Sequence, residues 1–586
     1  MNKLIKENFF VIDSNNLENI YPHMYGYSVS KNGILTDNYY KQIGEYKEPD
    51  PQGVYIMIRK IGNEIIINQD FNGGIGLYLY EDKNDNYFAL SNSFLLLEEH
   101  LIGKKSISFN KEYADNLITT SFCSYSISET LINEIKQILS DTYIIIDIKN
   151  KSLKINKIDY KEGTVPLESE EGLQLIDNWA DKWGYIFRSL KKQTNNISSD
   201  LSGGLDTRTL LSILLNSGIN LNEINIRSIK NNLHQHEVDY EIASKISSRF
   251  GFKLNNLSLN SKSKSLNIKD TLLNTIYTKL GFHKQFYLKD KFYLEPRFTL
   301  TGCGGEILRG APGVPIQKFI KSDSFKSILG HSEEFFNSSK NLLYRSVSIL
   351  KNSGKYINND YEISYNLYSK SLGRNHFGKE ALEGFISNIY YLQPLMDPDI
   401  KKIKFDINRE NSHDLIAYIY IRFAPDLINF PIQGNRTLDL KSIEKAEKIN
   451  EKRLSFLKKS DFNNNFFIDR NRKSPSATNK KKMNPYLYLN KLFKSKKYFQ
   501  LINKIYDANV YNWANKYSEN NKYHPLSQHY ALLAIVNTLD YLLSNTNKIE
   551  KILEDIPDIQ LNNILKNYHL KLKLILNMKM YFIILL

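Results

Sequence analysis

Two patterns predict a mixed α/β protein built from two unlike parts. Over residues 50–150, short runs of β-branched and aromatic residues alternate with turn residues, which predicts an antiparallel β-rich region with few helices. From about residue 196 to residue 300, strand patterns alternate with amphipathic helix patterns, which predicts a doubly wound parallel sheet. Two strands of that sheet run into glycine turns. In such sheets ligands sit beyond the carboxyl ends of the strands, so those turns are the first place to look for chemistry.

The β-rich elements follow in order. Val54 to Arg59 and Glu64 to Gln69 read as strands, and Asp70-Phe71-Asn72-Gly73-Gly74-Ile75-Gly76 is a glycine turn after which Leu77 to Tyr80 resumes the sheet. Asp82 to Asn86 is a polar hairpin, Tyr87 to Leu90 a strand. A short helix follows Ser91-Asn92-Ser93, with Phe94, Leu95, Leu97 and His100 in its first turns. Tyr143 to Ile148 is a later strand, and Lys149 to Lys161 reads as a charged connector. Leu173, Ile176, Ala180, Trp183 and Phe187 then recur at helical spacing.

Asn196 to Asp200 leads into Leu201-Ser202-Gly203-Gly204-Leu205-Asp206-Thr207, and Leu210, Leu211, Leu214 and Leu215 mark a helix behind it. A strand is predicted at Ile224 to Ile226. A helix carrying Val238, Ile242, Ala243, Ile246 and Phe250 follows, then a strand at Leu254 to Leu259. Phe298 to Leu300 is another strand, ending in Thr301-Gly302-Cys303-Gly304-Gly305-Glu306. From about Ser322 to Asp555 the pattern is mostly helical, with no internal repeat. The division expected is 1–160 and 165–586, the second part carrying a helical extension from about residue 440.

Composition narrows the class. A chain of 586 residues with 41% apolar and 12% aromatic residues can bury a sizeable core. The net charge of +15 permits anionic partners, but no dense basic helix or RNA-binding signature accompanies it, which favours a solvated lysine-rich surface over nucleic-acid binding. The densest run, Asp469-Arg470-Asn471-Arg472-Lys473-Ser474-Pro475 through Lys480-Lys481-Lys482, reads as an exposed, mobile loop. Cys123 and Cys303 are the only cysteines, so neither a disulfide framework nor a CxxC site can form. Met1 to Asn8 lacks a signal-peptide core, and no apolar run is long enough to span a membrane. The short apolar tail Met580 to Leu586 reads as a packed element. These features predict a cytoplasmic protein and leave a homodimer open.

The first glycine turn suits phosphate. A turn opening a helix offers unpaired backbone N–H groups and the positive end of the helix dipole. It is not a Walker loop: the Gly-x-x-x-x-Gly-Lys-Ser/Thr spacing and its lysine are missing. It carries a carboxylate instead, Asp206. A bare carboxylate beside phosphate is repulsive. An intervening Mg²⁺ removes the conflict, because Mg²⁺ takes one or two carboxylates together with phosphate oxygens. Glu306 in the second turn is the matching second ligand.

Ser202-Gly203-Gly204-Leu205-Asp206-Thr207 resembles the pyrophosphate loop of the asparagine synthetase family, Ser-Gly-Gly-Leu/Ile-Asp-Ser. His236-Glu237-Val238-Asp239-Tyr240-Glu241-Ile242-Ala243 resembles the family's acidic-start helix. Thr301 to Glu306 resembles its Ser/Thr-Gly-x-Gly-x-Asp segment, and Tyr391 to Pro398 its Arg-x-Pro-Phe-Leu-Asp stretch, without the Arg. The Asp70 to Tyr80 turn, with Phe88 to Ser93, is similar to two segments of the family's glutaminase domain. The resemblance runs from about residue 50 to 400 and fades beyond 440. It implies an Ntn-hydrolase-like first domain (glutamine amidotransferase class II) and a pyrophosphate-loop ATPase domain. It further implies ATP-dependent amide formation: a substrate carboxylate attacks the α-phosphate, pyrophosphate leaves, and an amine or ammonia displaces AMP. By the same analogy Ser202, Gly203, Gly204, Asp206 and Thr207 hold pyrophosphate, Leu201, Thr301 and Gly302 flank the nucleotide, and Asp206 and Glu306 hold Mg²⁺.

The departures are equally specific. Active glutaminase domains of this class carry Cys at position 2, and this chain has Asn2, which cannot become a thiolate. Cys123 sits internally and reads as a structural thiol. The expectation is therefore that glutaminase activity is absent, as in the family's β-lactam synthetases and lasso-peptide cyclases. Cys303 stands where asparagine synthetases often have Glu and β-lactam synthetases Tyr, beside the expected acyl-adenylate, which argues against aspartate as substrate. It reads as a packed small residue or a catalytic thiol. The family's later catalytic Lys has no clear counterpart near Pro425 to Arg436, where Arg436 supplies charge but cannot shuttle a proton. Three readings stand: an amide ligase on an unusual carboxylate (a sugar acid, a peptide or another specialised metabolite), a tRNA-modifying pyrophosphate-loop enzyme, and a non-catalytic scaffold.

Overall fold

The computed structural model describes residues 7–119, 124, 126–230, 234–259, 262–283, 288–309, 333–353, 360–404, 413–432, 436–451, 460–474, 476–478, 489, 493–503, 506, 510 and 527–544. Asn2, Cys123 and the tail Met580 to Leu586 lie outside the described residues.

The first part holds ten strands: β1 (Val11–Asp13), β2 (His23–Ser30), β3 (Gly33–Leu35), β4 (Gly53–Ile61), β5 (Glu64–Gln69), β6 (Tyr78–Asp82), β7 (Tyr87–Ser91), β8 (Ile135–Gln137), β9 (Thr142–Asp147) and β10 (Ser152–Lys157). They form a four-stranded antiparallel sheet, order β1-β7-β6-β8, and a six-stranded one, order β10-β9-β5-β4-β2-β3. Side chains alternate between faces along a strand. Ile65, Ile67, Ile144 and Ile146 are therefore buried while their neighbours Ile66 and Ile145 are half-exposed. Register pairs Ile65 with Ile146 and Ile67 with Ile144, stacking the buried residues into one layer. Both sheets contribute to a single core that continues into the second part of the chain. Ser93 caps the helix Phe94–Leu101 by accepting the Leu96 N–H, at 3.4 Å.

The Asp70 turn follows β5 and delivers the chain from the larger sheet to the smaller. Gly73 (φ +63°) and Gly76 (φ +86°) adopt backbone angles that side chains disfavour. The buried Asp70 carboxylate organises the turn by accepting the N–H groups of Tyr55, Asn72 and Gly74, at 3.1, 3.0 and 3.0 Å. The turn's outer carbonyls face the second part: Gly73 O accepts Arg374 Nε at 3.2 Å, and Ile75 O accepts Lys379 Nζ.

Three of the sequence expectations change against this architecture. Lys149 to Lys161 is not a connector throughout, because β10 pairs along its full length with β9. The alternation Leu153-Lys154-Ile155-Asn156 carried the strand signal, and the lysines mask it in the way charge protects a sheet edge. The chain passes to the second part between Lys157 and β11 (Val165–Pro166), which pairs in parallel with β18 (Ile403–Lys404). Leu254 to Leu259 is not a strand either. Asn255 takes a left-handed conformation (φ +53°); its N–H donates to Ile226 O, and its side chain accepts the Ser228 N–H and donates to Ser228 O, so the backbone ladder does not continue.

The second part is built on a parallel sheet of β12 (Ile197–Asp200), β13 (Asn225–Arg227), β16 (Arg297–Leu300) and β17 (Ile389–Leu392), in the order β13-β12-β16-β17. From β12 the chain moves to β13 on one side, then returns past β12 to β16 on the other. The order reverses between β12 and β16, and in sheets of this kind ligands sit beyond the carboxyl ends of the strands at such a point. A separate antiparallel sheet joins β14 (Ser263–Leu266), β15 (Lys291–Tyr293) and β19 (Ala477–Thr478).

That last pairing corrects the reading of residues 469–478 as a free loop. Asp469 is buried and accepts Thr36 Oγ1 and Asn38 Nδ2, both at 2.9 Å, and the Arg472 guanidinium stacks 3.6 Å from the Phe385 ring centre. Lys480, Lys481 and Lys482 lie outside the described residues.

The helix Glu170–Gln193 fixes the turn that follows β17. Ser169 caps it through the Gly172 N–H, at 3.0 Å. From its buried face Trp179 Nε1 donates to Pro394 O (3.0 Å) and Trp183 Nε1 to Asp397 Oδ2 (2.8 Å). Lys182 Nζ sits 2.9 Å from the same Asp397 oxygen, which compensates a fully buried carboxylate. Among the described residues no helix is long and apolar enough to cross a membrane.

Burial pushes the Asp70 carboxyl up to about 7, although its N–H donors and the Arg374 guanidinium pull it down. The folded chain therefore holds this proton more tightly than the unfolded one. Its contribution to stability is complete below the ordinary value of 3.8 and is lost as pH rises to about 7. The thermal midpoint should carry a descending component across that window that Asp70→Asn removes; identical pH slopes in the two proteins would contradict this.

Candidate functional site

The two glycine turns leave neighbouring strands at the same level, because Ser199 of β12 stands opposite Leu300 of β16. Leu201 continues the ladder on one side by donating to Arg227 O at 2.8 Å, and Thr301 on the other by donating to Leu392 O at 3.0 Å. Gly204 then caps the helix Leu205–Ser217 in an extended conformation, which puts Asp206 in the helix's first turn.

The turns touch through the space that missing side chains leave. A Cβ on Gly302 would stand 2.7 Å from the Asp206 carbonyl carbon and 2.8 Å from the Thr207 nitrogen. A Cβ on Gly305 would stand 2.6 Å from Asp206 Cγ. Glycine at both positions lets the 3₁₀ turn Gly305–Arg309 lie directly on Asp206 and brings Glu306 to it.

Asp206 is mostly buried. Its Oδ2 pairs with Arg309 Nη2 at 3.0 Å, and its Oδ1 is buried with no hydrogen-bond donor among the described residues. Burial raises the Asp206 carboxyl to about 7; the Arg309 guanidinium opposes this and the Glu306 carboxylate adds to it. Glu306 Oε1 accepts the Tyr368 hydroxyl at 2.5 Å. Burial first, then the same carboxylate, holds the Tyr368 phenol far above its usual range, so it acts only as a donor. Tyr368 opens the wide helical stretch Tyr368–Gly378, a π-type segment of the sort that often marks functional sites.

The first turn is tied on both faces. Arg208, fully buried, donates to Gly203 O at 2.8 Å and reaches Phe430 O at 3.0 Å, and Tyr420 OH donates to Leu205 O at 2.9 Å. On the N–H face, Ser202 N–H donates to Thr207 Oγ1 (3.1 Å), Gly204 N–H to Ser202 Oγ (3.1 Å) and Gly203 N–H to Asp239 Oδ1 (2.9 Å). A carboxylate thus occupies the donor expected to meet an anion. Asp239 belongs to the helix His234–Phe250, whose Ile242 also packs against Gly203.

No protein-family model matches this chain, and no curated protein matches it.

The structure brings together Leu201, Ser202, Gly203, Gly204, Asp206, Thr207, Thr301, Gly302 and Glu306 at one end of the parallel sheet. Cys303 is there too, half-buried, with its N–H donating to Thr301 Oγ1 at 3.3 Å. Burial pushes its thiol up to about 12, with Glu306 adding to the shift, so the sulfur is protonated at neutral pH and not activated as a nucleophile. Arg436 is exposed, its carbonyl bonded to the Ile432 N–H, and the cation that pairs with Asp206 is Arg309. Arg309, Tyr368 and Asp239 were not singled out as site residues by sequence. Arg309 had a signal, lying three residues after Glu306 on the same turn; Tyr368, distant in the chain, had none.

Among the described residues no group of three or more His, Cys, Asp or Glu side chains gathers around a point. The site offers two carboxylates and a turn.

The glycine contacts predict unequal costs. Gly302→Ala, which meets backbone, should lower unfolding stability by about 1–3 kcal/mol. Gly204→Ala meets only Ser202 Oγ at 3.3 Å and should cost less. Denaturant unfolding of the two variants checks the order, and equal costs would contradict the close approach.

Proposed function

We propose that the chain activates a substrate carboxylate by adenylation with Mg²⁺·ATP and passes the acyl group to an amine or ammonia. The observation that carries this reading is the meeting of Asp206 and Glu306 from glycine turns on adjacent parallel strands, at the point where strand order reverses. The resemblance of both turns to the asparagine synthetase family supports it.

The donor set fits Mg²⁺. Two neighbouring carboxylates, one with a buried oxygen that has no donor among the described residues, leave a charge that a hard cation answers. Asp206 and Glu306 would hold the ion, which when bound supplies charge neutralisation at the phosphate oxygens. The chain's own residues position and polarise. The N–H groups of Ser202, Gly203 and Gly204, at the start of the helix Leu205–Ser217, bind the leaving pyrophosphate. Arg208 fixes the opposite face of the turn so that those N–H groups keep their direction. Tyr368 orients Glu306.

In the first half-reaction a carboxylate oxygen bonds to the α-phosphorus and the bond to pyrophosphate breaks. In the second, the amine nitrogen bonds to the acyl carbon, AMP leaves, and the nitrogen's proton passes to a base. Cys303 as a protonated thiol is not that base. Positioning and electrostatic stabilisation are the catalytic sources this site offers.

A second reading has its own observation. The turn's N–H groups already have internal acceptors, and Asp206 already has a cation. Such a closed site suits a scaffold that keeps the fold without the chemistry.

ATP–pyrophosphate exchange over a panel of sugar acids, peptides and amino acids separates the two. The ligase reading expects exchange with at least one acid, reduced about 100-fold or more in Asp206→Ala and strongly in Glu306→Gln. Folded wild-type protein that forms no AMP with any acid would sink it and leave the scaffold. Within the ligase reading, Asp239→Ala should tighten pyrophosphate binding severalfold by removing the competing carboxylate, measured by calorimetry with Mg²⁺ present.

A further inference from the structure

We propose that Arg309 is a resident counter-ion that changes partners on binding: it pairs with Asp206 in the protein alone and grips the polyphosphate once a divalent cation has taken Asp206. The proposal rests on the nucleotide site argued above and adds to it a residue that determines the order and strength of binding.

Three features of Arg309 point this way. Among the described residues its guanidinium makes one ion pair, Nη2 to Asp206 Oδ2 at 3.0 Å, and none with the adjacent Glu306, whose Oε1 is engaged by Tyr368. Its Nε–H is buried without an acceptor among the described residues, so the planar fork is only partly satisfied. Its side chain is 35% exposed, beside an Asp206 that is 26% exposed, so the pair lies at the mouth of the site and not inside the core.

A guanidinium and a divalent cation compete for one carboxylate, since each is repelled by the other and both seek Asp206. A phosphate bound at the neighbouring turn reverses the balance. It would give the metal further oxygen ligands and offer the planar guanidinium two oxygens at once, the bidentate geometry for which arginine is better suited than lysine. Asp239 is the anionic counterpart of this arrangement, holding the Gly203 N–H at 2.9 Å until phosphate replaces it. An internal anion and an internal cation thus hold the positions from which one magnesium polyphosphate would displace both.

The proposal makes two affinities move in opposite directions. In Arg309→Gln, Mn²⁺ alone should bind about tenfold more tightly, because its competitor is gone, and pyrophosphate with Mg²⁺ should bind about tenfold more weakly, because its clamp is gone. In Arg309→Lys, which keeps the charge but not the fork, Mn²⁺ affinity should stay near wild type while pyrophosphate weakens. Mn²⁺ is followed by electron paramagnetic resonance and pyrophosphate by calorimetry, with thermal midpoints confirming that each variant is folded. If Arg309→Gln does not fold, the lysine variant carries the test by the same split. A fall in both affinities, or pyrophosphate binding unchanged in either variant, would overturn the proposal while wild-type binding keeps the nucleotide site. Wild-type protein that binds no pyrophosphate would overturn the site and this inference together.

Discussion

The parallel pairing of β12 with β16 is the constraint on which the candidate site depends. Almost a hundred residues separate these strands in the chain, yet Ser198 stands beside Thr299 and Ser199 beside Leu300. Their loops therefore emerge side by side. Adjacency alone would not bring two carboxylates together, because ordinary side chains would hold the loops apart. Gly302 and Gly305 remove that obstacle, and Asp206 fills the space. The result is electrostatically costly: a mostly buried carboxyl pushed up to about 7, next to a second carboxylate, with one guanidinium in partial compensation. Perturbation of this kind, by burial and a specific charge partner, is commonest where a protein binds or reacts.

The β-rich part and the site are mechanically connected through the stretch Tyr368–Gly378 and its continuation. Tyr368 reaches Glu306, Arg374 reaches Gly73 O, and Lys379 reaches both Ile75 O and the Tyr78 hydroxyl (3.0 Å). Tyr27 adds a second link, donating to Tyr391 O at 2.8 Å and accepting the Tyr391 N–H at 3.1 Å. The Asp70 turn thus serves as a docking surface as well as a crossing between sheets. Its carbonyls receive two buried cations, and a third polar contact, Asn72 Nδ2 to Met396 O at 3.1 Å, reaches the turn after β17. A change in the β-rich part has a short covalent and hydrogen-bonded path to the carboxylate pair.

Much of the architecture was legible from local pattern. The β-branched and aromatic runs Val54 to Arg59 and Glu64 to Gln69 lie within strands, and the helical spacing from Leu173 to Phe187 lies within one helix. Both glycine turns were visible because each sets a glycine pair just beyond a strand pattern with a carboxylate close behind, and glycine marks places where the chain bends tightly or is approached closely. What failed was set by tertiary context. Lysines on the edge strand β10 looked like a linker, and the basic run after Asp469 looked free when Thr36, Asn38 and Phe385 hold it. Arg309 stands close behind Glu306 in the chain, but its pairing with Asp206, a hundred positions away, is fixed only by the fold. Tyr368 and Asp239 escaped for the same reason, each defined by the residue it meets from another element.

The central claim is that Asp206, Glu306 and the Ser202–Gly204 turn form one seat for a divalent cation and pyrophosphate. Pulsed electron paramagnetic resonance of Mn²⁺ with pyrophosphate and the wild-type protein tests it most directly. The account predicts phosphorus-31 hyperfine coupling to protein-bound Mn²⁺ that disappears in Asp206→Asn. Bound Mn²⁺ without phosphorus coupling, or coupling that survives Asp206→Asn unchanged, would contradict it.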